Sequence, residues 1–230
     1  MRHPRPSWPG AFAFFRLAPL LALGLVSSSC DTGGSSDQAP DLVASALPGG
    51  YALRLDRPNR DPADFEVTTR EATLQIRTGP AGILYRPDRV LESAGYSVSA
   101  RFTQVGAPMG HREGFGLFVG GRNLESDTQQ YTYFLVRGDG RYVVKRRDGR
   151  STSEISDGWQ PSEAVRVAAM EDGDVTNELS IEWNGDRLRF LCNGDQVTEL
   201  AVGEMDALGV TGIRVNHNLV VGVQAFRIDR

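Results

Sequence analysis

Tyrosines and cations on two neighbouring runs carry the first chemical signal in this chain. Tyr131, Tyr133 and Arg137 fall on alternate positions of an aromatic, β-branched run, and Arg141, Lys145 and Arg147 alternate in the next. Alternate residues of a strand share a face, so two such strands side by side would set phenol rings among guanidinium and ammonium groups. A surface of that kind could stack a sugar ring and bond its hydroxyls. The same residues also allow a plainer arrangement, with the tyrosines in the core and the cations on a solvated edge. Gly116 and Gly120, with Phe118 between them, mark close approach by a ligand or by another backbone.

Asn216-His217-Asn218 interrupts an apolar pattern. Asn tolerates positive φ, so the trio reads as the turn between the last two strands. Its functional reading is a polar cluster at a groove rim, with His217 available for proton transfer. His111 sits in the Gly-rich stretch PMGHREG and reads as a loop residue. Neither histidine has a Ser or Asp partner at motif spacing, so no triad is indicated. Asp172, Asp174 and Asn177 cluster oxygen ligands before a strand, either as an acidic turn or as a calcium loop. The full hand-type loop pattern is absent, and no other cofactor is implied. Trp159, in DGWQPSE, stacks on a ligand or plugs the end of the fold. Cys192, in the apolar run LRFLC, reads as a buried thiol acting as a small hydrophobe.

The elements that must position these groups are strands. Asp139-Gly140, Asp148-Gly149 and Asp157-Gly158 recur at nine-residue spacing, as do Asn184-Gly185 and Asn193-Gly194. Such pairs favour type I′ hairpin turns, whose two central residues need positive φ. Nine residues leave room for a strand of six or seven between turns, the rhythm of an antiparallel meander. Tyr96, Val98, Ala100 and Phe102 alternate with Ser and Arg, and Leu179, Ile181 and Trp183 alternate with Ser and Glu. Strict alternation places one face in a core and the other in water. Further strands are expected at 51–55, 65–68, 72–77, 131–136, 141–145, 188–192, 212–215 and 219–228. Residues 131–136 are apolar on both faces, which leaves the covered face undecided. Only 162–170 (SEAVRVAAM) has helical character, enough for a turn or two. Many short strands and Gly-rich turns imply an all-β, two-sheet antiparallel sandwich spanning 50–230.

The start of the chain has a different character. Arg2, His3, Arg5 and Arg16 precede the apolar stretch 17–26, and three serines and Cys30 follow. That is the order of a secretory signal, 1–29, and the apolar stretch is short for a membrane span. Residues 30–49 are small, polar and turn-rich, the composition of a flexible tether. The chain carries a net charge of −4, and losing residues 1–29, with three arginines and no acid, would leave −7. That balance argues against a nucleic-acid partner.

Two resemblances refine this picture. The small residues before Cys30 resemble a bacterial lipobox, although Ser27 stands where leucine is commonest. The resemblance implies lipidation at Cys30 and a membrane-anchored lipoprotein of the cell envelope. GFGLFVGG (114–121), YTYFLVRGDGRYVVKRRDG (131–149), NELSIEWNGDRLRFLCNGDQV (177–197) and GVTGIRVNHNLVVGVQAFRI (209–228) resemble the concanavalin A-like, laminin-G-like jelly rolls of bacteria. That superfamily includes lectins, laminarinase-like hydrolases and the 3-keto-disaccharide hydrolase domain. The laminarinase-like enzymes carry Glu-x-Asp-x-x-Glu on one strand. Here the nearest match, Glu125 to Gln130, lacks the third acid and reads as a loop, so that activity does not transfer. No catalytic residue of the 3-keto-disaccharide group can be matched either. The expectation is a lipid-anchored jelly-roll module binding a glycan or another envelope component. The alternatives are a glycoside-processing hydrolase and a structural protein that binds other proteins. Paired acids with separated pKa values would mark the enzyme, and filled faces on both sheets would mark the structural protein.

Overall fold

In the computed structural model the described residues are 47–230, without 58, 107–110, 169–172 and 204. The signal, most of the tether, Cys30 and Asp172 lie outside them. The strands are β1 (Ala52–Leu55), β2 (Phe65–Arg70), β3 (Thr73–Thr78), β4 (Gly82–Leu91), β5 (Ser97–Gln104), β6 (Gly114–Arg122), β7 (Gln130–Arg137), β8 (Arg141–Asp148), β9 (Ser151–Glu154), β10 (Gln160–Pro161), β11 (Val175–Asn184), β12 (Arg187–Cys192), β13 (Asp195–Ala201), β14 (Gly209–Val215) and β15 (Val220–Asp229). They form two antiparallel sheets. Sheet A runs β1-β4-β14-β6-β7-β8-β10 with β9 also on β8, and sheet B runs β13-β12-β11-β5-β15-β3-β2. The result is the jelly-roll sandwich anticipated from the alternation.

The main core lies between the sheets. Tyr96, Val98, Ala100 and Phe102 of β5 and its approach, Leu179 and Ile181 of β11, and Phe134 and Val136 of β7 all contribute to it. Burying a side chain of this size contributes about 1.5–3 kcal/mol. Sheet A has a second apolar cluster on its other face, built from Ile83, Tyr85, Phe118, Leu124, Tyr131, Tyr133, Leu135 and Val143. Residues 131–136 are apolar on both faces because both faces are covered.

Several local features depart from the sequence expectations, the unexpected strands β9, β10 and β13 among them. β4 was not anticipated, because Arg86-Pro87-Asp88-Arg89 resembles a turn. The strand absorbs Pro87 where β1 pairs only with 82–85 and where β14 bulges between Val210 and Gly212; at such a position a missing N–H costs no ladder bond. Asp157-Gly158 makes no hairpin. It lies in the interruption between β9 and β10, which both pair with β8. Residues 162–168 form no helix; they make one turn, closed by the Val165 N–H to Ser162 O, and it drops Val165 into the core. Asn193-Gly194, by contrast, behaves as a type I′ pair, with φ of 54° and 90°.

β14 and β15 follow one another in sequence but lie in different sheets, so the Asn216-His217-Asn218 turn crosses the sandwich, with Asn218 at φ 53°. The β1–β2 and β3–β4 connections cross in the same way.

Cys192 is fully buried and unpaired, and burial pushes its thiol up to about 12. It is therefore expected to resist iodoacetamide at neutral pH in the folded chain and to react stoichiometrically in denaturant. Mass spectrometry showing rapid native alkylation would contradict this placement.

Candidate functional site

The outer face of sheet A is organised by Arg214 of β14. This guanidinium is buried, with 5% of the residue exposed. Its Nη1 and Nη2 donate to Asp56 Oδ1 and Oδ2 at 2.8 and 2.7 Å, and Nη1 also donates to the Tyr131 hydroxyl at 2.9 Å. Its carbon lies 4.7 Å above the centre of the Tyr133 ring. A fork-to-fork pair of this kind is stronger and more directional than a single ion contact. Burial opposes ionisation of Asp56, but Arg214, Arg147 and His217 outweigh it and hold the carboxyl at about 2. Burial is the main influence on Tyr131, pushing its phenol up to about 12, so it remains neutral.

Asp56 follows directly after β1, and Arg147 belongs to β8, with four strands between them across the sheet. Yet Arg147 Nη1 lies 4.0 Å from Asp56 Oδ2. The chain after Leu55 therefore leans across the outer face. Where it does so it closes one side of a pocket of about 610 Å³. Asp56, Arg57, Asn59 and Arg60 line it from the β1–β2 loop, Pro80 and Ala81 from the β3–β4 turn, His217 from the β14–β15 turn, and Arg147 and Arg150 from β8 and the turn after it. Arg147 is held by Nε to Gly149 O at 2.7 Å, and the His217 ring lies 3.3 Å from Gly79 O through Nδ1.

The residues singled out in sequence thus divide. Tyr131, Tyr133, Arg137, Lys145 and Arg147 do share the outer face, in ladder register with one another. Neither tyrosine ring is open to solvent, at 0% and 4% exposure, and the upper face of Tyr133 carries Arg214. Arg137 lies 4.6 Å over the Trp159 ring and pairs with Asp139 at 2.6 Å, so Trp159 packs on its own chain. Lys145 pairs with Glu154 at 2.9 Å. Of the group, Arg147 and His217 meet in the pocket; Asn216 lies beside it and uses its carbonyl to accept the Thr78 hydroxyl at 2.6 Å. His111 is not a pocket residue.

Of the three calcium candidates, Asp172 lies outside the described residues and the other two have protein partners. Asp174 Oδ1 accepts the Gly106 N–H at 3.1 Å. Asn177 is buried, and its carbonyl oxygen already accepts Arg166 N–H at 2.9 Å and Asn193 Nδ2 at 2.8 Å. These bonds make it a strut for the 164–166 segment. No cluster of three His, Cys, Asp or Glu with metal-ligand geometry occurs among the described residues.

Sequence reasoning passed over Asp56, Arg54 and Arg214. Arg54 is buried like Arg214, and it donates to Glu125 O at 2.9 Å and reaches Asp127 at 3.4 Å, which ties β1 to the β6–β7 loop. The available signal was a charge inside an apolar run, Ile213-Arg214-Val215, matched by the alternation Arg54-Leu55-Asp56.

No protein family model matches the chain. No curated protein matches it either. Solved structures do. Carbohydrate binding module CBM66 from Bacillus subtilis superposes with a TM-score of 0.57 at 12% identity, over 79% of this chain and 96% of that one. A Bacillus subtilis protein of unknown function with a galectin-like fold gives 0.53 at 8% identity, over 77% and 88%. The metal-free Emp46p carbohydrate recognition domain gives 0.53 at 12% identity, over 78% and 87%. At these identities the likeness establishes the sandwich fold.

Proposed function

We propose that this chain is a glycan-binding module of the cell envelope, tethered by lipid on Cys30, and that it binds through the pocket on the outer face of sheet A. The pocket carries the reading. It is of ligand size, its polar lining comes from the β1–β2 loop, the β14–β15 turn, and β8 with the turn after it, and its Asp56 is locked by Arg214, which also bonds Tyr131. Asp56, Arg147 and His217 are already held in place, so binding hydroxyls there avoids the entropy loss of ordering loose side chains. Two of the similar folds are named for carbohydrate binding, which adds support. The tether reading rests on the leader pattern.

The same geometry weighs against glycoside cleavage. Cleavage uses two carboxyl groups, one of them protonated at working pH. Among the described residues the pocket is lined by a single carboxylate, Asp56, which stays ionised and has both oxygens bonded to Arg214. An open pocket on the outer face likewise supports a small-ligand module over a purely structural protein.

A glycan array probed with the purified full chain in detergent tests this. Retention of at least one glycan class is expected, weakened by His217→Ala, an exposed change that leaves the core intact. An array with no retained glycan would remove the reading.

A further inference from the structure

Resting on the glycan-binding reading, we propose that the pocket selects an anionic saccharide, one whose rings carry carboxylates. Four guanidinium groups, Arg57, Arg60, Arg147 and Arg150, line it together with His217. The one acid among them, Asp56, is already neutralised by Arg214. The pocket is therefore strongly positive in a chain whose net charge is −4.

How these arginines are partnered sharpens the point. Many arginines elsewhere sit beside carboxylates: Arg86 with Asp88, Arg101 with Glu178, Arg146 with Asp148 and Asp206, and Arg189 with Glu182. Arg57, Arg60 and Arg150 are exposed, converge on one pocket and have no ion-pair partner among the described residues. Like charges gathered in a concavity repel, and low-dielectric walls focus their field. A bound anion relieves that repulsion, and the planar guanidinium fork matches a carboxylate in two-point geometry.

Size and composition separate a saccharide from simpler anions. At about 610 Å³ the pocket is far roomier than one inorganic anion needs. Asn59 offers an amide that can both donate and accept, as hydroxyl groups require. A concave pocket closed by Pro80 and Ala81 also differs from the flat basic patch that meets a membrane surface.

Isothermal titration calorimetry on the full chain in detergent separates the cases. The ligands are an oligogalacturonate, an uncharged dextran oligosaccharide, inorganic phosphate and vesicles containing phosphatidylglycerol. The oligogalacturonate is expected to bind, with affinity falling as salt is raised. The double variant Arg60→Ala/Arg150→Ala is expected to lose about tenfold or more in affinity while its thermal midpoint stays at or above that of the parent, because removing two exposed like charges does not harm the fold. Dextran binding as tight as uronate binding, unaffected in the double variant, overturns the anionic preference and leaves the glycan reading standing. Phosphate or vesicles binding as tightly as the uronate overturns the saccharide assignment. Failure of both saccharides removes this proposal, and failure on the full array as well removes the glycan reading with it.

Discussion

Replacing Asp56 with alanine is expected to cost the fold about 3–5 kcal/mol, because it strands a buried cation. Arg214 is 5% exposed, and its two terminal nitrogens are committed to the Asp56 carboxylate. The neutral Tyr131 hydroxyl that remains cannot balance a full charge. The guanidinium cannot shed its proton either, because arginine stays protonated in proteins even when buried. The effect should read as a fall in thermal midpoint of roughly 10 °C for a domain of this size. The double variant Asp56→Ala/Arg214→Met removes the pair as a unit and should recover much of the loss, because an apolar replacement of a buried ion pair is often nearly neutral. If the double variant were as unstable as the single, the penalty would come from lost packing and the charge argument would fail.

The same pair sets an acid limit. Asp56 ionises near 2 in the folded chain against an ordinary 3.8. A carboxyl that holds its proton less tightly when folded favours the fold at every pH above its ordinary value. That advantage, about 2 kcal/mol, disappears as pH falls from about 4 to about 2. Acid unfolding followed by near-ultraviolet circular dichroism should therefore be steeper in this window for the parent chain than for Asp56→Asn. Parallel curves would remove Asp56 as the group responsible.

Much of the sandwich was legible because period-two burial is written into single strands. The β5 and β11 patterns need no partner to be read, since Phe102 and Leu179 are buried wherever the strand pairs. What a strand does not announce is its sheet. β14 and β15 look like a hairpin because Asn218 takes a turn conformation. The same turn serves equally to cross between layers, and only long-range pairing, β14 with β6 and β15 with β3, decides between the two. β4 was hidden for a related reason: Pro87 reads locally as a breaker and is harmless only where no neighbour needs its N–H.

The site was half legible. Arg147 and His217 were visible as polar interruptions, and the structure puts them in one pocket. The tyrosines were visible too, but whether a ring is open or covered depends on groups far away in sequence. Arg214 lies 83 residues from Tyr131 and 158 from Asp56. A lone arginine in an apolar strand indicates that a counter-charge exists somewhere, and not where. The loop arginines Arg57 and Arg60 look like ordinary solvated charges until the fold brings Arg150 round to meet them.

Gly116→Ala is the change from which the fold should recover least. Gly116 sits in β6, between β14 and β7, directly opposite Leu135 and Arg214. A Cβ added there would fall far inside van der Waals contact of the Phe134 carbonyl oxygen, 3.1 Å from the Leu135 Cα and 3.1 Å from the Leu179 Cδ1. The close approach marked by this glycine is thus the backbone of β7, not a ligand. Because the obstacle is a carbonyl in a central ladder, no rotamer change relieves it, and either β6 and β7 separate or the sheets part. A loss of about 4 kcal/mol or more, or failure to fold, is expected. Gly185→Ala provides the comparison. That residue sits at φ 66° with nothing within 4 Å of an added Cβ, so it carries backbone strain without a clash and should cost about 1 kcal/mol. Urea unfolding followed by tryptophan fluorescence would measure both. If the two variants unfold at similar midpoints, glycine's backbone freedom accounts for Gly116 as well, and the tight β6–β7 contact does not decide the residue. If Gly116→Ala alone collapses, the same contact that excludes a side chain there also holds β7 in place, and with it the tyrosines that Arg214 joins to Asp56 of the pocket.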